Sequence, residues 1–468
     1  MVKTKKINVM EITEAKDTDS SIKDCRLDEI SWFNRLSKFT GHVSIVGLRH
    51  TNDMKTSIYK KIIWTILILF GICFMTFQIQ DRLTAFFKYD TVTIIKNVNN
   101  PILKFPTVTI CNENEMKKSA VERDGLKKVV EVVWPPLREV KEKNKNLNLD
   151  YLRDQTKTST EVNWGDIYAR YAPSIEESIK ECIFKGAFCD PLQDFRYVQT
   201  KMGKCFQFAP GNASLFISQP GVNYGLSLTL NANQSEYLVV HSPSIAFRVL
   251  VHDRTELPLM EGGLKAQPGH MVNIGVRLEK RTFLPKPYGN CNNDPNYRTK
   301  LCFLNCFSKH ITVLCGCRQG YMTGNASICS PYDTLCVIRE RDNFTNNEIH
   351  KQCNCSPQCF GRDFITLVTQ AKLSEYFLES YVFKHKVSRE VITDNYILLN
   401  IFFSSMTSTH IEEEAGYLVL KLLADVGGAF SLLLGGTILS LFEIMDFAVL
   451  ELIHYIQHRK GVIQRGYQ

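Results

Sequence analysis

Residues 62–79 read IIWTILILFGICFMTFQI and carry no charge, while residues 423–447 read LADVGGAFSLLLGGTILSLFEIMDF and keep their acids near the two ends. A helix rises about 1.5 Å per residue, so roughly 20 residues cross a hydrocarbon core about 30 Å thick. Neither run has the polar face that a helix half-buried in a soluble domain carries. Two membrane spans separated by a long loop are therefore the first expectation.

Residues 1–55 are polar and mixed in charge, far longer than the basic start of a signal peptide, so the first span is expected to serve as its own insertion signal. Arg49, Lys55, Lys60 and Lys61 precede it; Arg459, Lys460 and Arg465 follow the second span. The positive-inside rule then puts both termini in the cytoplasm and about 340 residues outside. The net charge of +8 is spread widely and leaves no nucleic-acid footprint.

Cysteines and sequons read the same way. Of 16 cysteines, only Cys25 and Cys73 lie outside the loop, and the rest fall between Cys111 and Cys359. An even, dense set in an extracellular segment reads as disulfides. The alternative is zinc, but the close pairs Cys315/Cys317 and Cys353/Cys355 have poor spacing for it, and no metal is expected. Four glycosylation acceptors, Asn212, Asn233, Asn325 and Asn343, all fall in the loop.

The loop shows no internal repeat. VTIIKNVNNPILKFPTVTICN alternates like strands, with Pro106 opening a short run at Thr107–Ile110. A charged, helix-compatible region follows, and SIEESIKECIF reads as helical. Strand patterns then dominate: KCFQFA, YGLSLTLN, EYLVV, AFRVLVHD, MVNIGVRL and, before the second span, YILLNIFFSSMTSTHIEEE. The cysteine-rich part includes a helical stretch around DTLCVIRERDN. This is an α+β ectodomain between two spans. No enzyme signature is present: H-E-x-x-H, G-x-S-x-G and a glycine-rich phosphate loop are all missing, and the loop histidines are scattered.

Within the second span, Ala424, Gly428, Ser431 and Gly435 fall on one narrow helical face. In an unbroken helix the same phase reaches Asp446 within about 40°. Small residues can mark a helix–helix contact or a pore wall. The acids favour the pore, because an intramembrane carboxylate normally faces water or a partner and no Lys or Arg lies in Leu422–Leu452. Acids rather than bases imply cations.

FPTVTICN at 105–112 resembles the post-membrane signature of the degenerin/epithelial sodium channel/acid-sensing channel superfamily. The second span, YGLSLTLNANQSEYL and KPYGNC resemble its second span, palm and wrist, in order, over about residues 35–460. Short loops and termini look most like cnidarian peptide-gated sodium channel subunits. The resemblance implies a trimeric membrane protein: two transmembrane helices flanking a disulfide-rich ectodomain with a β-sheet core (palm, β-ball) and helical finger, thumb and knuckle. The corresponding division is a cytoplasmic N-terminus at 1–58, a transmembrane helix at 59–80 and a ligand-sensing extracellular domain at 81–416. A second transmembrane helix with pore and filter follows at 417–453, then a cytoplasmic C-terminus at 454–468.

The same resemblance assigns residues. Gly435, Gly436 and Thr437 match the selectivity triplet, with Thr in place of the usual Ser or Cys. Ala424 matches the gating position beside Asp425. Ser431, near Gly428, matches a position linked to amiloride block. Glu443 and Asp446 match the acids below the filter. Tyr89 and Tyr288 match the wrist contact, and Gly41-His42 is the family's His-Gly pair in reverse. The implied disulfides are Cys111–Cys205, Cys182–Cys189, Cys291–Cys359, Cys302–Cys355, Cys306–Cys353, Cys315–Cys336 and Cys317–Cys329. Glu412, Glu413 and Glu414 lie near the outer mouth, where a solvated charge run and a ring attracting Na⁺, Ca²⁺ or cationic peptides are the two readings.

No cofactor is implied beyond the permeant Na⁺. Partners are homologous subunits, the lipid bilayer and, because no crowded carboxylates stand out, an extracellular neuropeptide rather than protons. Alternatives are an acid-gated or constitutive sodium channel, a non-conducting subunit needing partners, and an ATP-gated-type receptor, which FPTVTICN argues against.

Overall fold

A computed structural model describes residues 34–41, 43, 45, 47–52, 57–127, 130, 163–210, 215–238 and 244–465. Two compact units emerge: one from residues 1–91 and 415–468, the other from 92–414. His42 and Asn212 lie outside the described residues.

In the first unit, helix α1 (Ile58–Phe87) is 30 residues long and apolar enough to cross a membrane. It continues past the expected end at residue 80. Its partner is not one helix. α7 (Val419–Leu434) and α8 (Ile438–Arg465) are bent by 78° across the break between them, and only taken together are they both long and apolar enough to count as one spanning element. α7 packs on α1 where α1 has buried Gly71; a side-chain carbon there would stand 3.3 Å from the Leu433 carbonyl oxygen. The segment 34–41 docks on α8 through Phe39 stacked on Phe447 at 4.3 Å and through Arg35, whose Nε donates to Glu451 at 2.8 Å.

The second unit is built on two main sheets. The larger runs β1 (Thr91–Asn99), β15 (Thr407–Ala415), β12 (His270–Thr282), β14 (Tyr396–Phe403), β9 (Leu226–Asn231), β4 (Ile179–Phe184) and β5 (Ala187–Phe188), with β13 (Phe360–Lys372) antiparallel to β12. The smaller runs β11 (Leu264–Ala266), β10 (Phe247–His252), β3 (Thr107–Asn112), β7 (Gly203–Phe208) and β6 (Phe195–Thr200). β2 (Leu103–Lys104) pairs with β8 (Phe216–Ile217). Alternating apolar residues of both sheets share one core, in which Phe206, Phe247, Phe403, Ile110 and Ile274 are fully buried. Burial of such side chains contributes about 1.5–3 kcal/mol each relative to exposure.

Helices attach to this core. α2 (Trp164–Tyr171) starts at Asn163, whose side chain accepts from Asp166 N–H, and buries Trp164, Ile167, Tyr168 and Tyr171. α3 (Thr299–Cys315) and α4 (Thr334–Asn346) enclose a small cluster around Leu304, Ile311 and Val337. α5 (Glu375–His385) and α6 (Arg389–Asn395) pack around Leu378, Tyr381 and Ile392. Seven disulfides join the pairs that the resemblance implies. Cys111–Cys205 ties β3 to β7, and five of the seven fall between Cys291 and Cys359, where the helices have little core of their own.

Two local readings are corrected. SIEESIKECIF is helical for one turn only: Ser174 and Glu177 form a capping box over Ile175–Ser178, and the chain then becomes β4. Pairing with β9 and the Cys182–Cys189 link override the helical pattern. In EYLVV, Glu236 ends a short 3₁₀ turn and Tyr237 makes a single bridge to Lys117, so no strand forms among its described residues.

α2 is tied to α4 by Trp164 Nε1, which donates to Thr334 Oγ1 at 2.6 Å. Trp164→Phe is expected to cost about 1–3 kcal/mol through the lost buried hydrogen bond. Thr334→Val should cost a similar amount, and the double variant less than the sum, in thermal unfolding of the purified protein.

Candidate pore and extracellular site residues

The break between α7 and α8 falls on Gly435-Gly436-Thr437. Gly435 has φ of +62°, a left-handed conformation that side chains with Cβ resist, and its N–H still bonds to Ser431 O at 2.9 Å. Gly436 is buried; a Cβ there would lie 2.4 Å from Phe430 Cε1. Thr437 opens the next helix. Its N–H donates to Ser440 Oγ at 3.1 Å while Ser440 N–H donates to Thr437 O at 3.0 Å, a reciprocal cap. GGTILS thus holds a stop and a start signal within six residues, legible as glycines followed by a Thr-x-x-Ser cap.

This corrects the reading of one continuous stripe. Ala424, Gly428, Ser431 and Gly435 do share one face of α7, and all four are exposed in the single chain, while Leu434 packs on α1. The extrapolation to Asp446 fails because the 78° bend resets the direction. Asp446 lies exposed on α8, and Glu443 is half-buried one turn earlier.

Several acids are engaged rather than bare. Asp425 accepts from the Tyr417 hydroxyl. Glu451 is paired with Arg35, so a cation from the N-terminal segment meets an acid on α8, a contact no local pattern announces. Glu412 is 2.7 Å from Lys96, which holds its carboxyl below the usual range. Glu414 lies 3.9 Å from the same ammonium, and Glu413 accepts from Leu284 N–H at 3.1 Å. Three consecutive acids are thus tied to β1 and to the chain after β12.

Tyr89 has φ of +54° and packs its ring near Phe86 and Phe87. Tyr288 follows β12, with its N–H bonded to Pro285 O at 3.1 Å. Gly41 lies within the described segment 34–41. Asn325 and Asn343 are exposed; Asn233 is half-buried in a left-handed turn, where Ser235 Oγ donates to its Oδ1. Among the described residues no group of acids, histidines and cysteines has the arrangement of a metal site.

One titratable group escaped the sequence reading. Glu115 follows β3 and accepts from the Tyr168 hydroxyl at 2.7 Å. Burial pushes its carboxyl up to about 7, opposed by that hydrogen bond and aided by nearby Glu113, which is itself paired with Arg248 at 2.8 Å and Lys265 at 3.4 Å. The motif NENE, two acids spaced by one residue after a buried strand, was the available signal.

α1 is long and apolar enough to cross a membrane, α7 and α8 form a bent apolar pair, and the larger unit is disulfide-rich, features of a membrane protein class. The chain belongs to the amiloride-sensitive sodium channel family, whose profile matches residues 39–447. It is 26% identical over 460 residues to acid-sensing ion channel 1C of Danio rerio, covering 92% of this chain and 85% of that one. It is 25% identical over 462 residues to acid-sensing ion channel 1 of Gallus gallus, covering 92% and 87%. A cryo-EM structure of a proton-activated chloride channel aligns with 83% of this chain and 96% of its own at a TM-score of 0.33 and 8% identity, a likeness that carries no argument. The chain is therefore an ion-channel subunit and not an enzyme; channels of the family are plasma-membrane proteins built from homologous subunits.

Gly436→Ala should abolish current at normal surface expression, because the new methyl meets the Phe430 ring. Phe430→Ala in the same chain should restore part of it, measured as whole-cell current against surface label. For Glu115, the folded state favours the protonated carboxyl. Its contribution therefore turns progressively unfavourable as pH rises from about 4.5 to about 7, and is constant above. Glu115→Gln should accordingly raise the unfolding temperature at pH 8 and leave it unchanged near pH 4.

Proposed function

We propose that this chain is one subunit of a trimeric, two-span cation channel with both termini cytoplasmic, passing Na⁺, blocked by amiloride and opened by an extracellular neuropeptide. The observation that carries the reading is the break at Gly435–Thr437. A helix interrupted within an apolar segment frees backbone carbonyls that lipid does not satisfy, and such backbone is tolerated where it faces a water-filled conduit. Three copies meeting along the Ala424–Gly435 face would place those carbonyls and the Thr437 hydroxyl around one axis, with Asp425 above and Glu443 and Asp446 beyond. Glycans at Asn212, Asn233, Asn325 and Asn343 would then be extracellular. The peptide rests on the likeness of loops and termini to peptide-gated subunits.

In this reading Ala424 lies on the face where the closed channel brings three helices together. Added bulk clashes mainly in the closed state and shifts the population towards open. Ala424→Val, or Ala424→Cys after a bulky thiol reagent, should raise amiloride-sensitive Na⁺ current without ligand several-fold; a bias of about 1.4 kcal/mol is tenfold. Normal surface expression with no such rise would remove Ala424 from the gate. Bi-ionic reversal potentials then decide between Na⁺ and Ca²⁺.

A second reading, acid gating, is favoured by the Glu115 carboxyl, which burial pushes up to about 7 with Glu113 nearby, and by relatives named acid-sensing. A robust current on acidification of cells expressing this chain alone, lost in Glu115→Gln, would replace the peptide reading. Silence to both stimuli until other subunits are added would mark a partner-dependent subunit.

A further inference from the structure

A cavity of about 530 Å³ opens in the large unit where β2, β6, β7, β12, β13 and the loop after β10 converge. Its wall carries Lys104, Arg196, Arg254, Lys280 and Arg362 against a single acid, Asp253. Five bases minus one acid leave a formal charge of +4. Asp253 is already engaged: it accepts from Thr255 N–H at 2.9 Å and Thr255 Oγ1 at 2.6 Å and lies 3.7 Å from Arg362. Arg196 is held by a neutral group, its Nε donating to Gln207 Oε1 at 2.7 Å and its Nη2 to the same oxygen. That contact fixes the guanidinium without neutralising it. Lys104 and Lys280 have no carboxylate partner among the described residues.

The floor is different in kind. The buried Phe105, Phe208 and Leu278 line the same cavity, together with Phe364 and the exposed Ile102. Like charges brought close on one wall repel, and the arrangement relaxes when an anion sits among them. An apolar floor adds affinity only for a ligand with an apolar body. A few polar groups over an apolar surface, in a volume between about 300 and 1,000 Å³, is the usual form of a small-molecule site.

We propose that this cavity binds a small organic anion, one carboxylate or sulfonate group on an apolar body. Lys104 and Lys280 supply the free positive charge, Arg196 the guanidinium N–H groups that Gln207 does not take, and Phe105, Phe208 and Phe364 the surface for the body. The same charge repels a cationic peptide, so this site is separate from that of the neuropeptide, and it stands whether or not the chain conducts.

The test uses the full-length protein in lipid nanodiscs and calorimetric titration, with protein-free nanodiscs as the blank. Three probes separate the contributions: naphthalene-1-sulfonate, uncharged 1-naphthalenemethanol and inorganic sulfate. The sulfonate is expected to bind saturably, one per chain, and the other two at least tenfold more weakly. Lys104→Glu with Lys280→Glu should weaken the sulfonate at least tenfold, while Lys118→Glu, outside the cavity, leaves it unchanged. Should charge reversal disturb folding, Lys104→Gln with Lys280→Gln must still weaken it. Equal binding of the alcohol, equal binding of sulfate, no saturable binding, or wild-type affinity in the folded double variant would each overturn the proposal.

Discussion

A helix that stops inside an apolar run must satisfy its end groups within the protein, and the rest of the first unit follows from how this chain meets that demand at one tripeptide. Gly435 turns left-handed to end α7, and Thr437 and Ser440 cap each other to begin α8. Gly436 lies under the Phe430 ring. The N–H groups of Gly435, Thr437 and Ser440 are each bonded locally, so the bend is a built feature of 78° and not a frayed helix. Tyr417 holding Asp425 and Arg35 holding Glu451 extend the same logic to charge: acids near an apolar segment are kept by a donor.

In the larger unit the constraint is covalent. The larger sheet is stabilised by its own buried apolar faces, whereas the α3–α4 region has a small cluster and five disulfides in and around it. A disulfide contributes typically about 2–4 kcal/mol, chiefly by restricting the unfolded chain. That is the scale of what a cluster the size of Leu304, Ile311 and Val337 leaves wanting.

Period-two patterns read the strands well. YILLNIFF, AFRVLVHD and MVNIGVRL became β14, β10 and β12, because each buries one face and alternation is then enforced. SIEESIKECIF misled because Ser-Ile-Glu-Glu is a true helix start, and only pairing with β9 shows where it stops. The small-residue face was visible in one segment of sequence. The bend was visible too, in GGTILS, but an assumed continuous helix hid it. Contacts such as Arg35 with Glu451, Glu412 with Lys96 or Glu115 with Tyr168 join residues far apart or on different elements, and periodicity carries no information about them.

β12 has two parallel neighbours in succession. Met271–Val276 pairs with β14 and Glu279–Thr282 with β15, while β13 backs it throughout. Thirteen residues of strand reach about 43 Å at roughly 3.3 Å each. Such a strand behaves as a stiff rod clamped along one side: axial load applied at one end arrives at the other, since slipping by one residue would turn every side chain to the wrong face. Leu278 and Lys280 sit at and just beyond the splice, where the rod passes from one neighbour to the next.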